Sequence, residues 1–369
     1  MESRRSAQQE SAGPPPASGQ TWSLPRGLIV VLTAAGAVVA IAGMKAFAGV
    51  LGPTFLALML TMAVQPVQTW AQQRGWRPWI GMLGALVSVV LILLVLLGSL
   101  VLSAAQLASE LPKYSDEFND LFDGLRSTLA DLGVSTDQIQ NALSGVDVGK
   151  AVDVLSMALS NAFGIFTNTF FVLALLLFMA IDGMMIGRKL DVVAKARPEI
   201  AYALTAFAKG TRKYLVVSTI FGLIVAIFDG GALWLMGVPL PVLWALLSFI
   251  TNYIPNVGFV LGLVPPALLA LLDSGPMLMI WVIVVYSVIN FVIQSIIQPK
   301  IVGDAVGLSV TVAFLSLVFW SWVLGALGAL LAIPLTLLMK AVLLDIDPST
   351  RWIGVLIQDR APDPQEQPG

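Results

Sequence analysis

Residues 252–266 read NYIPNVGFVLGLVPP, a run with two asparagines, three prolines and two glycines set between strongly apolar segments. Proline removes a backbone donor and breaks a helix, and asparagine brings a polar side chain. The surroundings are too apolar for an ordinary surface loop. Of the 369 residues 57% are hydrophobic and 11% charged, with a mean hydropathy of +0.88, whereas soluble domains carry roughly 25% charged residues. The chain therefore reads as an all-α, polytopic membrane protein, and the fold turns on why irregular backbone lies at membrane depth.

Composition excludes several chemistries. The chain has no Cys and no His, which removes thiol chemistry, disulfides, the usual zinc sites and histidine acid–base catalysis. A net charge of −2 gives no basic surface for nucleic acid. No Gly-rich phosphate loop ending in Lys-Ser/Thr occurs, so no ATP motor and no cofactor are expected. Asp229 and Asp182 lack the Gly-rich signature of an intramembrane aspartyl protease dyad, and no enzyme is expected.

A helix needs about 20 apolar residues to span a bilayer, and runs near 27–44, 46–64, 80–103, 161–181 and 214–236 meet that length, followed by four more ambiguous stretches, of which 277–297 runs inward if the one before it is a hairpin. Residues 1–26 are rich in Pro, Ser and Gln and read as a disordered cytoplasmic tail. Ala46-Phe47-Ala48 resembles a signal-peptidase site, but Lys45 beside it and the long polar leader argue against cleavage. Arg74 and Arg77 follow the second span. Arg188, Lys189, Lys195, Arg197, Lys209, Arg212 and Lys213 lie between the fourth and fifth. The positive-inside rule makes both loops and the two termini cytoplasmic, including the polar tail 345–369. Residues 104–160 hold nine acidic residues against three basic ones; they read as an external amphipathic helical insert between the first three helices (27–103) and a transport core (161–344). The basic stretch 185–213 reads as a helix on the anionic cytoplasmic leaflet.

The opening stretch belongs to residues 239–272, longer than one span and broken at Asn252, Pro255, Asn256 and Gly258. Residues 307–340 are equally long and broken at Ser321, Gly325 and Gly328. Each is one kinked helix or a re-entrant hairpin of two short helices. Two hairpins, the first entering from outside and the second from the cytoplasm, put Lys300 and Lys340 on the cytoplasmic side. That gives about eight membrane segments with an inverted repeat, in which Gly258, Gly262 and Pro265 correspond to Gly325, Gly328 and Pro334. Transporters place their sites between discontinuous helices in such repeats.

Asn290, Gln294 and Gln298 recur every four residues as a polar stripe facing protein or water, either as helix–helix glue or as pathway lining. Asp229, in IFDGG, is the candidate group for proton or ion coupling, unless it lies high enough to reach outside water. Asp182 reads as interfacial, and Asp304 as a cap or part of a cytoplasmic gate.

The segments IIQPKIVGDAVGLS (296–309), GALGALLAIPLTLLMKAVL (325–343) and ITNYIPNVGFVLGLVPPALLALL (250–272), with Leu111-Pro112 and FMAIDG (178–183), resemble the autoinducer-2 exporter (AI-2E) family of PerM-like bacterial permeases. The resemblance runs over about 27–344. It implies export of a small polar signalling molecule from a bacterial plasma membrane, or sodium/proton antiport as proposed for some members, in a homo-oligomer. By motif it carries over to Pro255, Asn256, Gly258, Pro299, Lys300, Gly303, Gly325, Gly328 and Pro334. Two positions depart from the family pattern: Ser309-Val310 stands where His-Pro is common, and Ile293 where an acid is common. The expected pathway combines Asn252, Asn256, Asn290, Gln294 and Ser321 with the hairpin tips; the expected partners are lipid, a small polar solute, and protons or sodium.

Overall fold

The structure, a computed structural model, describes residues 25–131, 162–255, 257–302 and 307–357. Asn256, Gly303 and Asp304, most of the second half of the acidic insert and both distal tails lie outside them. The described residues are helical almost throughout, and the chain divides into two compact units, residues 1–46 and 47–369.

The first unit contains α1 (Arg26–Ala46). In the second, α2 (Ala48–Gln73) and α3 (Pro78–Glu110) lead through a 3-10 turn, Leu111–Tyr114, into α4 (Ser115–Asp131). The chain resumes with α5 (Ala162–Ala196), which bends by 55° near Gly183, and α6 (Pro198–Leu235). Among the described residues five helices are long and apolar enough to cross a bilayer, and six if the two halves of α5 count as one span. They overlap the five runs read from the sequence, and 277–297, which the hairpin topology required as a span. The protein is a polytopic, all-helical membrane protein, and the many Leu, Ile, Val and Phe side chains on its surface are what a lipid-facing surface requires.

The basic stretch 185–213 forms no separate helix. It is divided between the end of α5 and the start of α6, because Arg197 is extended (φ −146°, ψ 76°) ahead of Pro198, as a residue before proline prefers. At 38 residues, α6 is roughly 57 Å long at 1.5 Å per residue, far more than the hydrocarbon core needs.

Both broken segments fold back on themselves, so neither is a single kinked helix. The first comprises α7 (Pro241–Thr251), a turn at 252–257 and α8 (Gly258–Ser274). The second comprises α11 (Val310–Leu324), a one-residue break at Gly325, α12 (Ala326–Leu330) and α13 (Ala332–Lys340). Between them run α9 (Pro276–Asn290), a π-helical turn, Phe291–Ile297, and α10 (Gln298–Val302). A β-carbon on Gly258 would lie 1.8 Å from the Thr251 carbonyl oxygen, and one on Gly328 would lie 1.8 Å from that of Trp320. Only glycine permits this approach, and it closes each hairpin at the last turn of its first arm. The matching glycines are thus 258 and 328, rather than 258 and 325 as counting from the breaks suggests. Gly325 serves the turn itself, at φ +67° and ψ −144°.

Lipid tails are as apolar as leucine, so burial alone does not hold these helices together; close packing and polar contacts must. A β-carbon on Gly230 of α6 would come within 2.7 Å of the Ala245 β-carbon of α7, so the two helices lie nearly in backbone contact. Leu233 and Val238 pack with Leu243 and Trp244, with Ala267, Leu269 and Ala270, and with Val282 and Tyr286 in one buried cluster. It joins the end of α6, both arms of the first hairpin and α9. Leu107 and Tyr114 pack on its edge, and the Tyr114 hydroxyl donates to Asp273 at 2.9 Å.

The second hairpin packs elsewhere. Leu337 meets Gly210 near the start of α6, and Leu327 at the tip meets Gly52 of α2. A final segment, α14 (Arg351–Leu356), returns to the base of this hairpin, where Ser309 N–H donates to the Ile357 carbonyl at 2.9 Å.

Candidate functional site

Where the first hairpin lies between α6 and α9, a continuous hydrogen-bonded chain links the three. Asp229 is fully buried, and its Oδ2 accepts from the Ser248 hydroxyl at 2.6 Å and from Asn290 Nδ2 at 3.4 Å. Asn290 Nδ2 also donates to the Tyr286 carbonyl at 2.9 Å. Its Oδ1 accepts from Gln294 Nε2 at 2.7 Å, and the same nitrogen donates to Asn252 Oδ1 at 3.1 Å. Asn252 Nδ2 donates in turn to the Ser218 carbonyl at 3.2 Å.

The direction of the chain follows from its start. Oδ2 of Asp229 is the acceptor of both contacts, so Asn290 turns its NH2 to Asp229 and its oxygen to Gln294. The remaining amides follow in the same sense.

The turn is pinned to α6 by its neighbours as well. Tyr214 donates to the Tyr253 carbonyl at 2.6 Å, and the Tyr253 and Thr219 hydroxyls are 2.7 Å apart. Gly222 makes room, since a β-carbon there would lie 2.8 Å from Asn252 Nδ2. A small cavity of about 10 Å³, room for about one water molecule, lies between the hairpin arms and α9, lined by Ser248, Thr251, Asn252, Tyr286, Asn290 and Gln294 among others. The lining polar side chains are hydroxyls and amides, which can exchange hydrogen bonds. This arrangement suits binding a neutral polar group.

The expected pathway residues divide between two places. Asp229, Asn252, Asn290 and Gln294 converge, with Gly258 beside them and Pro255 in the turn. Gln298 continues past the π-helical turn, and its expected stripe with Asn290 and Gln294 ends in hydrogen bonding at Gln294. Ser321 donates to the Val318 carbonyl of its own helix at 3.1 Å. With Gly325, Gly328 and the buried Pro334 it belongs to the second hairpin, which shares no extended packing surface with the first among the described residues. Pro299 and Lys300 are exposed on α10. Asp182 is exposed and 3.8 Å from Lys189. Asp229, by contrast, is buried within the protein and does not reach outside water.

Ser248, Thr251 and Tyr286 were not singled out by the sequence, although Ser248, Thr251 and Asn252 lie at i, i+3 and i+4 on one helical face. Among the described residues no group of three or more Asp or Glu is placed to hold a metal ion.

Comparison with known proteins agrees with this architecture. Residues 28–347 match the family model described as AI-2E family transporter. The chain is 31% identical over 315 residues to "Putative transport protein YhhT" of Escherichia coli K12, covering 85% of this chain and 90% of the relative. It is 30% identical over 337 residues to the AI-2 transport protein TqsA of the same strain, covering 90% and 96%. It is 28% identical over 293 residues to "Putative transport protein MT0215" of Mycobacterium tuberculosis, covering 76% of this chain and 79% of the relative. With a family match that covers most of its length, the chain belongs to the AI-2E family, whose members are membrane transporters rather than enzymes.

Proposed function

We propose that the protein is a secondary transporter that exports a small, uncharged polar solute of the autoinducer-2 type across a bacterial plasma membrane, as a homo-oligomer with cytoplasmic termini. The observation that carries this reading is the amide chain Asn290–Gln294–Asn252, held at the turn of a broken apolar helix pair. Irregular backbone at membrane depth is tolerated where protein or a water-filled cavity satisfies it, and solute hydroxyls can take over the same hydrogen bonds.

The two hairpins are proposed to be re-entrant and inverted, with α6 as the ruler. The first hairpin has its base near Gly230 and its turn at Ser218–Gly222, whereas the second arm of the other meets α6 at Gly210. They thus approach α6 from opposite ends. With the positive-inside assignment, this supports the first entering from outside and the second from the cytoplasm.

A second reading, sodium/proton exchange, is favoured by the buried Asp229. One experiment separates the two: proteoliposomes loaded with autoinducer-2 and a pH-sensitive dye, followed with and without sodium and an imposed proton gradient. Solute efflux above that of empty liposomes, reduced by Gln294→Ala and Asn252→Ala, is the expected result. Efflux untouched by either substitution refutes the site; sodium-dependent pH change without efflux selects the exchanger.

A further inference from the structure

Among the described residues Asp229 has no ion-pair partner. From residue 214 to residue 299 the sequence contains no Lys or Arg, and this stretch supplies the second half of α6, both arms of the first hairpin and all of α9. Helix α3, which packs on α7, has neither between Arg77 and Lys113. The groups that face the carboxyl are neutral: Ser248 from α7, Asn290 from α9, and Tyr286 one turn before Asn290. Asp273, the other acid of this region, is exposed at the far end of α8.

Among the described residues two buried oxygens here have no hydrogen-bond partner, Asp229 Oδ1 and the Tyr286 hydroxyl. The turn of α9 that carries Tyr286 is tied to Asp229 through Asn290, whose NH2 bonds both the Tyr286 carbonyl and Oδ2. A carboxylate taken out of water among neutral groups is strongly disfavoured unless a cation or a proton accompanies it.

We propose that Asp229, with Ser248 and Asn290 on its Oδ2 and its Oδ1 unpartnered among the described residues, is a site for one monovalent cation, a proton or a sodium ion, and that filling it is what lets the first hairpin seat against α6. Ser248 makes the link mechanical. It belongs to the hairpin and bonds the carboxyl directly, so the hairpin cannot close over Asp229 without desolvating it. With the cation lost, the bare carboxylate draws water, the Ser248 and Asn290 contacts yield, and the amide chain to Asn252 loses its fixed end. The consequence for transport rests on the proposed function: one cation would accompany each closure over the solute. The site itself does not depend on that reading.

The test is infrared difference spectroscopy of the purified full-length protein in lipid nanodiscs, comparing wild type with Asp229→Asn. At neutral pH in potassium buffer the expected result is a carbonyl stretch of a protonated carboxylic acid that Asp229→Asn lacks. Addition of sodium distinguishes the occupants. An unchanged band means a proton site, and conversion to a carboxylate stretch means that sodium displaces the proton. If Asp229→Asn fails to fold, Ser248→Ala serves, since removing a donor to Oδ2 must shift the same band. A carboxylate stretch insensitive to both pH and sodium, with no acid band, overturns the proposal. An acid band in a protein that fails to release autoinducer-2 would leave the cation site standing and remove the exporter, so the two claims fail separately.

Discussion

Gly258→Ala tests the hairpin geometry most directly. The added β-carbon would lie 1.8 Å from the Thr251 carbonyl oxygen and 2.7 Å from its carbon. Ordinary contacts begin near 3.4 Å, so the arms must part by more than an ångström, and what blocks the way is backbone rather than a side chain that can rotate. Overpacking typically costs about 1–3 kcal/mol, and a rigid obstacle puts this substitution at the upper end, about 3 kcal/mol. That is roughly two decades in the folding equilibrium at about 1.4 kcal/mol per decade. Gly231→Ala supplies the control. It lies in α6 with no atom within 4 Å of the new methyl, so alanine's helix preference should stabilise it by up to about 1 kcal/mol. Unfolding free energies of the purified variants in mixed micelles would measure the gap. Gly258→Ala as stable as Gly231→Ala would refute the folded-back arrangement of residues 241–274.

Gly325→Ala forces a side chain into backbone at φ +67° and ψ −144° and should cost about 1–3 kcal/mol, read by the same unfolding measurement. Gly222→Ala should act differently, because its methyl would meet the end of the Asn252 side chain at 2.8 Å and displace it. Solute efflux should fall several-fold, with the loss of about 1–3 kcal/mol that unpaired buried polar groups cost; unchanged efflux would show that the Asn252 contacts are dispensable. Gln294→Ala leaves Asn290 Oδ1 and Asn252 Oδ1 without their donor, a loss of about 1–3 kcal/mol for buried groups, measured as efflux and as unfolding. For topology, the cysteine-free chain allows Ser274→Cys and Ser349→Cys, both at exposed positions. An impermeant maleimide should label the first from outside and the second only after permeabilisation, and labelling of both from one side would refute the inverted arrangement.

Run length sufficed to locate the spans, because a bilayer demands about 20 apolar residues whatever their order. The two breaks were legible for a similar reason: Pro255 and Gly258, or Gly325 and Gly328, have no cause to cluster inside a simple span. Asn290 and Gln294 announced themselves through their spacing. Ser248 and Tyr286 did not, since a single hydroxyl in an apolar helix commonly bonds its own backbone, as Ser316 does to the Val312 carbonyl at 2.6 Å. Which partner such a hydroxyl takes depends on the facing helix, and no local pattern encodes that. The pairing of Gly258 with Gly328 was hidden because one turn has six residues and the other only Gly325, so registers counted from the breaks slip.

That difference in turn length divides the work between the hairpins. At Gly325 the backbone satisfies itself: its N–H donates to the Ser321 carbonyl at 2.9 Å, and its carbonyl accepts from Ala329 N–H at 3.1 Å. The second hairpin can therefore keep its internal bonding wherever its tip sits. The longer turn bonds its own N–H groups internally but borrows further partners: the Tyr253 carbonyl takes its hydrogen bond from Tyr214 of α6, and the Asn252 side chain depends on Ser218 of α6 and Gln294 beyond α9. Lifting the first hairpin from α6 strips these groups of partners, and buried polar groups left unpaired cost about 1–3 kcal/mol each. Such a movement becomes feasible only when water or a hydroxylated solute supplies replacements. The borrowed hydrogen bonds thus make the first hairpin the element that responds to solute, while its self-contained counterpart needs no such exchange to hold its shape.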